Sequence, residues 1–244
     1  MKTPPNHPLF TQRMQELAAA LAEWEKAHPE LAAAWDEALG EEEARRLERE
    51  KKKAEAQARA HLEAACRTVG LPIRALRALE ARMPTEAIGA LEALGDGVTL
   101  LSGGPGIGKT VAAALRVREA LQAALARNPE RVREDPARVA LFYRAVTLAR
   151  ASAFGQEAAV LLERLRTTRL LVIDDLGAEY ASPVWDMLLF ELLDTRHGDC
   201  LPTVLTTNLG KEKLRERYGQ RLAERVREGG AAVFLNGESM RGEP

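Results

Sequence analysis

Between Thr11 and Leu39, apolar side chains recur at helical spacing at Met14, Leu17, Leu21 and Trp24. Leu31, Trp35 and Leu39 continue the pattern beyond Pro29. A proline inside a helix removes a backbone donor and clashes with the preceding turn, so the pattern predicts two short amphipathic helices parted at Pro29. Residues 1–10 hold three prolines and are expected to be a loose arm. Glu41 to Ala65 is uninterrupted helical sequence. Glu41-Glu42-Glu43 lead it and Lys51-Lys52-Lys53 follow, the order that suits a helix dipole, and Glu48 and Lys52 form a favourable i, i+4 pair. Its apolar stripe is weak. Two readings stand: a solvated helix or linker, or a partner-binding arm over residues 1–65 of the coiled-coil hook kind.

Gly70-Leu71-Pro72-Ile73-Arg74 breaks the helical pattern, and the periodicity resumes from Ala75 to Leu94 before a turn at Gly95-Asp96-Gly97. The expected division is therefore a helical N-terminal region and linker, 1–69, and a second domain, 70–244. In that domain short apolar runs alternate with helical stretches. Val98 to Leu101, Val139 to Tyr143, Leu170 to Ile173, Pro202 to Thr207 and Ala231 to Leu235 read as strands. Between them Val111 to Ala126, Arg144 to Leu165 (interrupted near Gly155) and Val184 to Arg196 read as helices, the last entered at Pro183. Arg127 to Arg138 is polar, and Lys211 to Tyr218 and Gln220 to Glu228 read as two short helices. Such alternation specifies a mainly parallel, five-stranded, three-layer α/β sandwich with its ligand at the strand C-termini.

The loop after the first of these strands carries the most specific chemistry. Gly103-Gly104-Pro105-Gly106-Ile107-Gly108-Lys109-Thr110 is G-x-x-x-x-G-K-[ST], a phosphate-binding loop. Its glycines let backbone N–H groups turn inward on an anion, and the following helix, opening at Val111, adds its N-terminus. These nine residues are the expected nucleotide contacts. Lys109 is expected to reach the β- and γ-phosphates of ATP, and Thr110 to ligate Mg²⁺.

Composition narrows the setting. Charged residues make up 29 % of the chain and the formal net charge is −1, so bulk charge says nothing of nucleic acid and any basic surface must be local. No apolar run approaches a membrane span, and no apolar segment of a secretory signal follows Met1. Cys66 and Cys200 lie far apart without ligand-like neighbours, which implies free thiols in a reducing cytoplasm and no zinc cluster.

Three further features accompany the loop. Leu170-Leu171-Val172-Ile173-Asp174-Asp175 is a buried strand ending in two acids, the pattern in which Asp174 holds Mg²⁺ through its water shell and Asp175 orients the attacking water. Asn208, after Thr206-Thr207, is placed either to touch the γ-phosphate or water from a strand between the other two, or to cap the following helix. Arg221 and Arg225 share one helix face, suited either to reach a neighbouring subunit's γ-phosphate or to an ordinary solvated surface.

In this order the features resemble the AAA+ ATPases of the DnaC/DnaI helicase-loader and IstB group. The resemblance covers about residues 70–242. It runs from Gly70-Leu71-Pro72 through the phosphate loop, Leu171 to Glu179 and Pro202 to Leu209, to the Arg221/Arg225 helix and a closing Gly237 to Arg241. It implies that Asn208 is the sensor of the γ-phosphate, Arg225 the first candidate for an arginine finger with Arg221 second, and Arg241 a late nucleotide-sensing arginine. It also implies a domain without the helical lid of many AAA+ proteins, since only residues 209–244 follow Asn208. Two departures stand out: no cysteines for the zinc-binding domain that some relatives carry, and Asp175 where AAA+ proteins usually have Glu, one methylene longer. A two-helix element before the acidic strand contacts single-stranded DNA in the group. Here it would offer Arg144, Arg150, Arg164, Arg166 and Arg169 to the phosphate backbone, unless they form a solvated basic face.

The function implied is an ATPase, slow and stimulated by DNA or assembly, that loads a hexameric replicative helicase onto single-stranded DNA. The N-terminal region would grip the helicase, and subunits would associate head-to-tail through Arg225. The alternatives are an IstB-like ATPase partner of a transposase and, from another class, a P-loop small-molecule kinase. The last would need an acceptor pocket and an arginine-bearing lid, neither of which is visible.

Overall fold

In the computed structural model the chain divides into two units, Met1–Ala58 and Arg59–Pro244. It describes residues 8–81, 87, 89, 97–151 and 156–236, with the backbone alone at 8–15, 17, 36 and 156. The second unit reaches back to Arg59, ahead of the division expected at 69/70.

Helix α1 (Pro8–Ala27) begins inside the expected loose arm, whose residues 1–7 lie outside the described residues. Helix α2 (Pro29–Thr68) opens on Pro29, where a missing N–H costs nothing. The break at Pro29 is thus present, but the separate helices expected on either side of Gly40 are one helix of 40 residues. Glycine there costs about 1 kcal/mol relative to alanine. The ion pairs Arg45–Glu41 (2.9 Å), Arg46–Glu50 (3.1 Å) and Lys52–Glu48 (2.7 Å) offset it by roughly 0.2–0.5 kcal/mol each. Trp24 stacks on His28 at 5.3 Å and meets Trp35 edge-on at 6.0 Å.

In the second unit the strands β1 (Val98–Gly103), β2 (Ala140–Arg144), β3 (Leu170–Leu176), β4 (Thr203–Thr207) and β5 (Ala231–Leu235) form one parallel sheet in the order β2-β3-β4-β1-β5. Successive side chains of a strand face opposite sides, so a sheet covered on both faces needs continuous apolar runs. In β3, Leu170 and Val172 enter one core and Leu171 and Ile173 the other. The first core is filled by the end of α2, by α3 (Ile73–Glu80) and by α4 (Lys109–Arg127), whose Ala112, Ala113, Ala114, Val117 and Leu121 are buried against the sheet. The second is filled by α6 (Ala145–Ala151), α7 (Gln156–Thr167), α8 (Pro183–Gly198) and α9 (Lys211–Arg227). The expected polar stretch before β2 contains α5 (Pro129–Glu134), capped by the Asn128 side chain, and a 3-10 turn at Pro136–Arg138. Of the helix expected from Ala75 to Leu94, the part beyond Ala81 lies outside the described residues except for positions 87 and 89, as do Gly95-Asp96 and the interruption at residues 152–155. Within α9 the backbone turns at Gly219 (φ 68°, ψ −164°), which makes it the two helical pieces expected.

Two contacts fix this frame. Gly70 has φ +93°, and a Cβ there would lie 2.4 Å from the Phe142 carbonyl oxygen. The Phe142 N–H donates to Val69 O at 2.8 Å, so the Gly-Leu-Pro segment covers the outer edge of β2. Arg196, 0 % exposed, donates to Thr203 Oγ1 (2.8 Å), Leu165 O (2.7 Å), Thr168 O (2.8 Å) and Pro202 O (2.7 Å), joining the end of α7 to the start of β4. Burial lowers its pKa to about 10, still far above neutrality. Among the described residues no helix is long and apolar enough to cross a membrane, and no group of three or more His, Cys, Asp or Glu side chains is gathered so as to form a metal site by itself. Cys66 is buried and Cys200 exposed, both as free thiols.

Candidate nucleotide site

The C-terminal ends of β1, β3 and β4 open into a cleft of about 740 Å³, a size that suits a nucleoside triphosphate. Strand order explains the convergence: β4 lies between β1 and β3, so the phosphate loop, the acidic strand end and Asn208 emerge side by side. Gly106, Gly108, Lys109, Thr110, Val111, Asp174, Asp175 and Asn208 all line it.

Lys109, largely buried, donates from Nζ to Gly103 O (2.8 Å), Gly104 O (2.7 Å) and Asn208 Oδ1 (2.9 Å). Thr110 Oγ1 donates to Asp174 Oδ1 at 2.9 Å, and Thr206 Oγ1 donates to the same oxygen at 2.6 Å. Asp174 is 4 % exposed. Burial raises its pKa, the two hydroxyls oppose that shift, and neighbouring Asp175 adds to it. A carboxylate that is costly to keep charged, beside a hydroxyl oxygen, is a hard-oxygen pair that a divalent cation can stabilise.

Asp175 has φ 62°, and β3 loses regular register with β4 between Ile173 and Leu176. The irregularity turns consecutive acids in different directions. The Asp175 N–H donates to Thr206 Oγ1 at 2.9 Å, Asn208 Nδ2 donates to Asp175 Oδ1 at 2.8 Å, and Arg144 Nη2 lies 3.3 Å from Asp175 Oδ2. Asn208 thus joins Lys109 to Asp175.

The structure places the other sequence candidates elsewhere. Arg221 Nη2 and Arg225 Nε hold opposite oxygens of Asp194 on α8, at 2.6 and 2.5 Å, and Arg225 also pairs with Glu228. Neither arginine lines the cleft of its own chain. Of the arginines proposed for DNA, Arg144 stands in the nucleotide cleft and Arg166 is paired with Glu191, while Arg150, Arg164 and Arg169 are exposed. Arg241 lies outside the described residues.

Sequence reasoning missed several neighbours. Pro72, Arg74, Ala75 and Ala78 wall the cleft, although Gly-Leu-Pro had been legible only as a helix break and a family feature. Thr206 is a second hydroxyl on Asp174; a polar residue near the end of an apolar strand was its signal. Arg144 reaches Asp175 because β2 pairs Arg144 with Asp174 in register, which needs the sheet order to see.

A family model described as IstB-like ATP binding protein matches residues 11–243 of this chain. The replicative helicase loader DnaC of Escherichia coli strain K12 is 32 % identical over 82 residues, which cover 33 % of this chain and 34 % of that protein. The chain therefore matches about a third of the length of these curated relatives. The crystal structure of DnaI aligns over 59 % of this chain and 73 % of its own at 26 % identity, with a TM-score of 0.47. AMPPCP-bound DnaA from Aquifex aeolicus aligns over 62 % and 44 % at 19 % identity, with a TM-score of 0.45.

Proposed function

Because the chain belongs to the family of IstB-like ATP-binding proteins, we propose that it couples ATP binding and hydrolysis to the loading of a hexameric replicative helicase onto single-stranded DNA. Lys109 leaves its carbonyl partners for the β- and γ-phosphates. Thr110, and Asp174 through the ion's water shell, would hold Mg²⁺, which would neutralise charge on the phosphates; the adjacency of their oxygens supports that fit. Asp175 orients the attacking water, and Asn208 holds Asp175 and the γ-phosphate end of the site in register. Arg225, with Arg221 beside it, leaves Asp194 to complete the nucleotide site of the next subunit in a head-to-tail assembly. Turnover is slow in the lone subunit and rises on assembly or with DNA. The exposed Arg150, Arg164 and Arg169 follow the phosphates of single-stranded DNA, joined by Arg144 and Arg166 once these leave their acidic partners.

The observation that carries the loader reading is a helical unit with Leu31, Trp35 and Leu39 exposed (56, 59 and 52 %) at i, i+4 and i+8 of α2. Apolar side chains on successive turns of one face are anchors for a protein groove. The proteins of the matched DnaC group are named as helicase loaders, which favours the helicase as that partner. The test is light scattering of the full chain mixed with the purified replicative helicase of its source. A complex is expected, weakened at least about tenfold by Trp35→Ala with Leu39→Ala. No complex, or one indifferent to both substitutions, overturns the reading.

The match to a family described as IstB-like ATP binding protein is equally compatible with a second reading, an ATPase partner of a transposase. It predicts a complex with the transposase under the same conditions and none with the helicase.

A further inference from the structure

Glu179 lies four residues beyond Asp175, and its side chain is 1 % exposed. A lone carboxylate is costly to bury, and here donors from three segments surround it. They are the Gly177 N–H (2.8 Å) in its own loop, Trp185 Nε1 (3.1 Å) on α8, and both the Tyr218 hydroxyl and Arg217 Nη2 (3.4 Å) on α9. Arg217 also grips Asp186 on α8 at 2.9 and 3.0 Å. Packing alone would be served by an apolar side chain; a carboxylate adds direction, because each donor must keep its angle to it.

The same loop touches the nucleotide site. Gly177 is two residues from Asp175, and a Cβ on it would stand 2.5 Å from Leu209 Cδ1, the residue after Asn208. The Leu209 carbonyl in turn accepts from Ser102 at the end of β1. On the far side, Tyr218 is followed by the turn at Gly219 and then by Arg221 and Arg225, both held by Asp194. Glu179 grips the half of α9 before that turn, and Asp194 the half after it.

We propose that Glu179 is a positioning residue that ties the Asp175 end of β3 to the arginine-bearing half of α9, so that the nucleotide held in one subunit sets where that subunit offers Arg225 to its neighbour. The proposal rests on the reading of Arg225 as the group completing a neighbouring site. A shift of Asp175 and Asn208 on loss of the γ-phosphate moves the Gly177–Glu179 segment, and Tyr218 and Arg217 carry that movement into α9.

The test uses the full chain and measures ATPase rate against protein concentration, ATP affinity of the dilute protein and melting temperature, for Glu179→Gln, Tyr218→Phe, Arg225→Ala and Tyr218→Phe with Arg225→Ala. Tyr218→Phe removes one hydroxyl and leaves the carboxylate its other donors, so it decides the matter if Glu179→Gln does not fold. Both coupling variants are expected to keep ATP affinity and KM within about twofold while losing about tenfold of the concentration-stimulated kcat. The double variant is expected to be no slower than Arg225→Ala alone, since both act through one arginine. Full stimulation in Tyr218→Phe, or losses that multiply in the double variant, overturns the proposal while leaving Arg225 in place. Full stimulation in Arg225→Ala overturns the role of Arg225 and this proposal with it.

Discussion

Asn208 donates its side-chain N–H to Asp175 Oδ1 at 2.8 Å, while its own Oδ1 accepts from Lys109 at 2.9 Å. One amide therefore holds the group proposed to orient water and the group proposed to hold phosphate. Asn208→Ala is expected to lower kcat about a hundredfold, as removal of a preorganised polar contact does, and to change ATP affinity by no more than about threefold. Single-turnover kinetics with titrated nucleotide separates the two. Unchanged kcat would remove Asn208 from the chemistry and leave it a structural tie.

Among the described residues Arg196 forms no ion pair, and its guanidinium donates its hydrogen bonds to carbonyl and hydroxyl oxygens. Arg196→Met strands those buried acceptors, and is expected to cost about 3 kcal/mol or more. For a unit of this size that corresponds to a fall in Tm of roughly 6 °C or beyond. Arg196→Lys keeps the charge but has no planar fork to span the same acceptors, so it is expected to recover only part of the loss. A melt of the lysine variant matching wild type would contradict this account of the joint between α7 and β4.

Asp194 carries the opposite logic. Burial alone would raise its pKa, but hydrogen bonds from Arg225 and Arg221, and then their charges, outweigh it and hold the carboxyl below its usual value. A depressed folded-state pKa binds protons less readily than the unfolded chain does. Its contribution is thus present above the ordinary carboxylate value of about 3.9 and fades as pH falls through the lower folded value. The pair is partly exposed, so Asp194→Asn is expected to cost about 1 kcal/mol at neutral pH, with a gap to wild type that closes in acid. Melts of both proteins between neutral and acidic pH measure it, and a gap that persists unchanged in acid would show that charge is not its source.

Much of this molecule was legible in its sequence because the signals are local. The phosphate loop is one contiguous octapeptide, the acidic strand is a single apolar run with its acids at the end, and strand–helix alternation specified the parallel sheet. Gly219 between two helical stretches matched a turn in α9. What escaped depends on distance through space. Glu179 was legible only as the end of the family-like stretch from Leu171, and nothing nearby in sequence reveals that Tyr218 and Arg217 bury it. Arg144 read as part of a basic stretch until the register of β2 on β3 brought it to Asp175. The apolar pattern stops at Leu39 and the charged stretch starts at Glu41, which read as separate elements, whereas the ion pairs that sustain α2 add up only over several turns.

The most direct test is reconstitution: the full chain, the replicative helicase of its source, ATP with Mg²⁺, and circular single-stranded DNA carrying an annealed strand and coated with single-strand-binding protein. A loader is expected to raise helicase-dependent strand displacement at least about tenfold, and Lys109→Ala to abolish that gain because charge-assisted contacts to phosphate are lost. Displacement equal with and without the wild-type chain, while that chain still binds ATP, would contradict helicase loading and turn attention to a transposase as the partner.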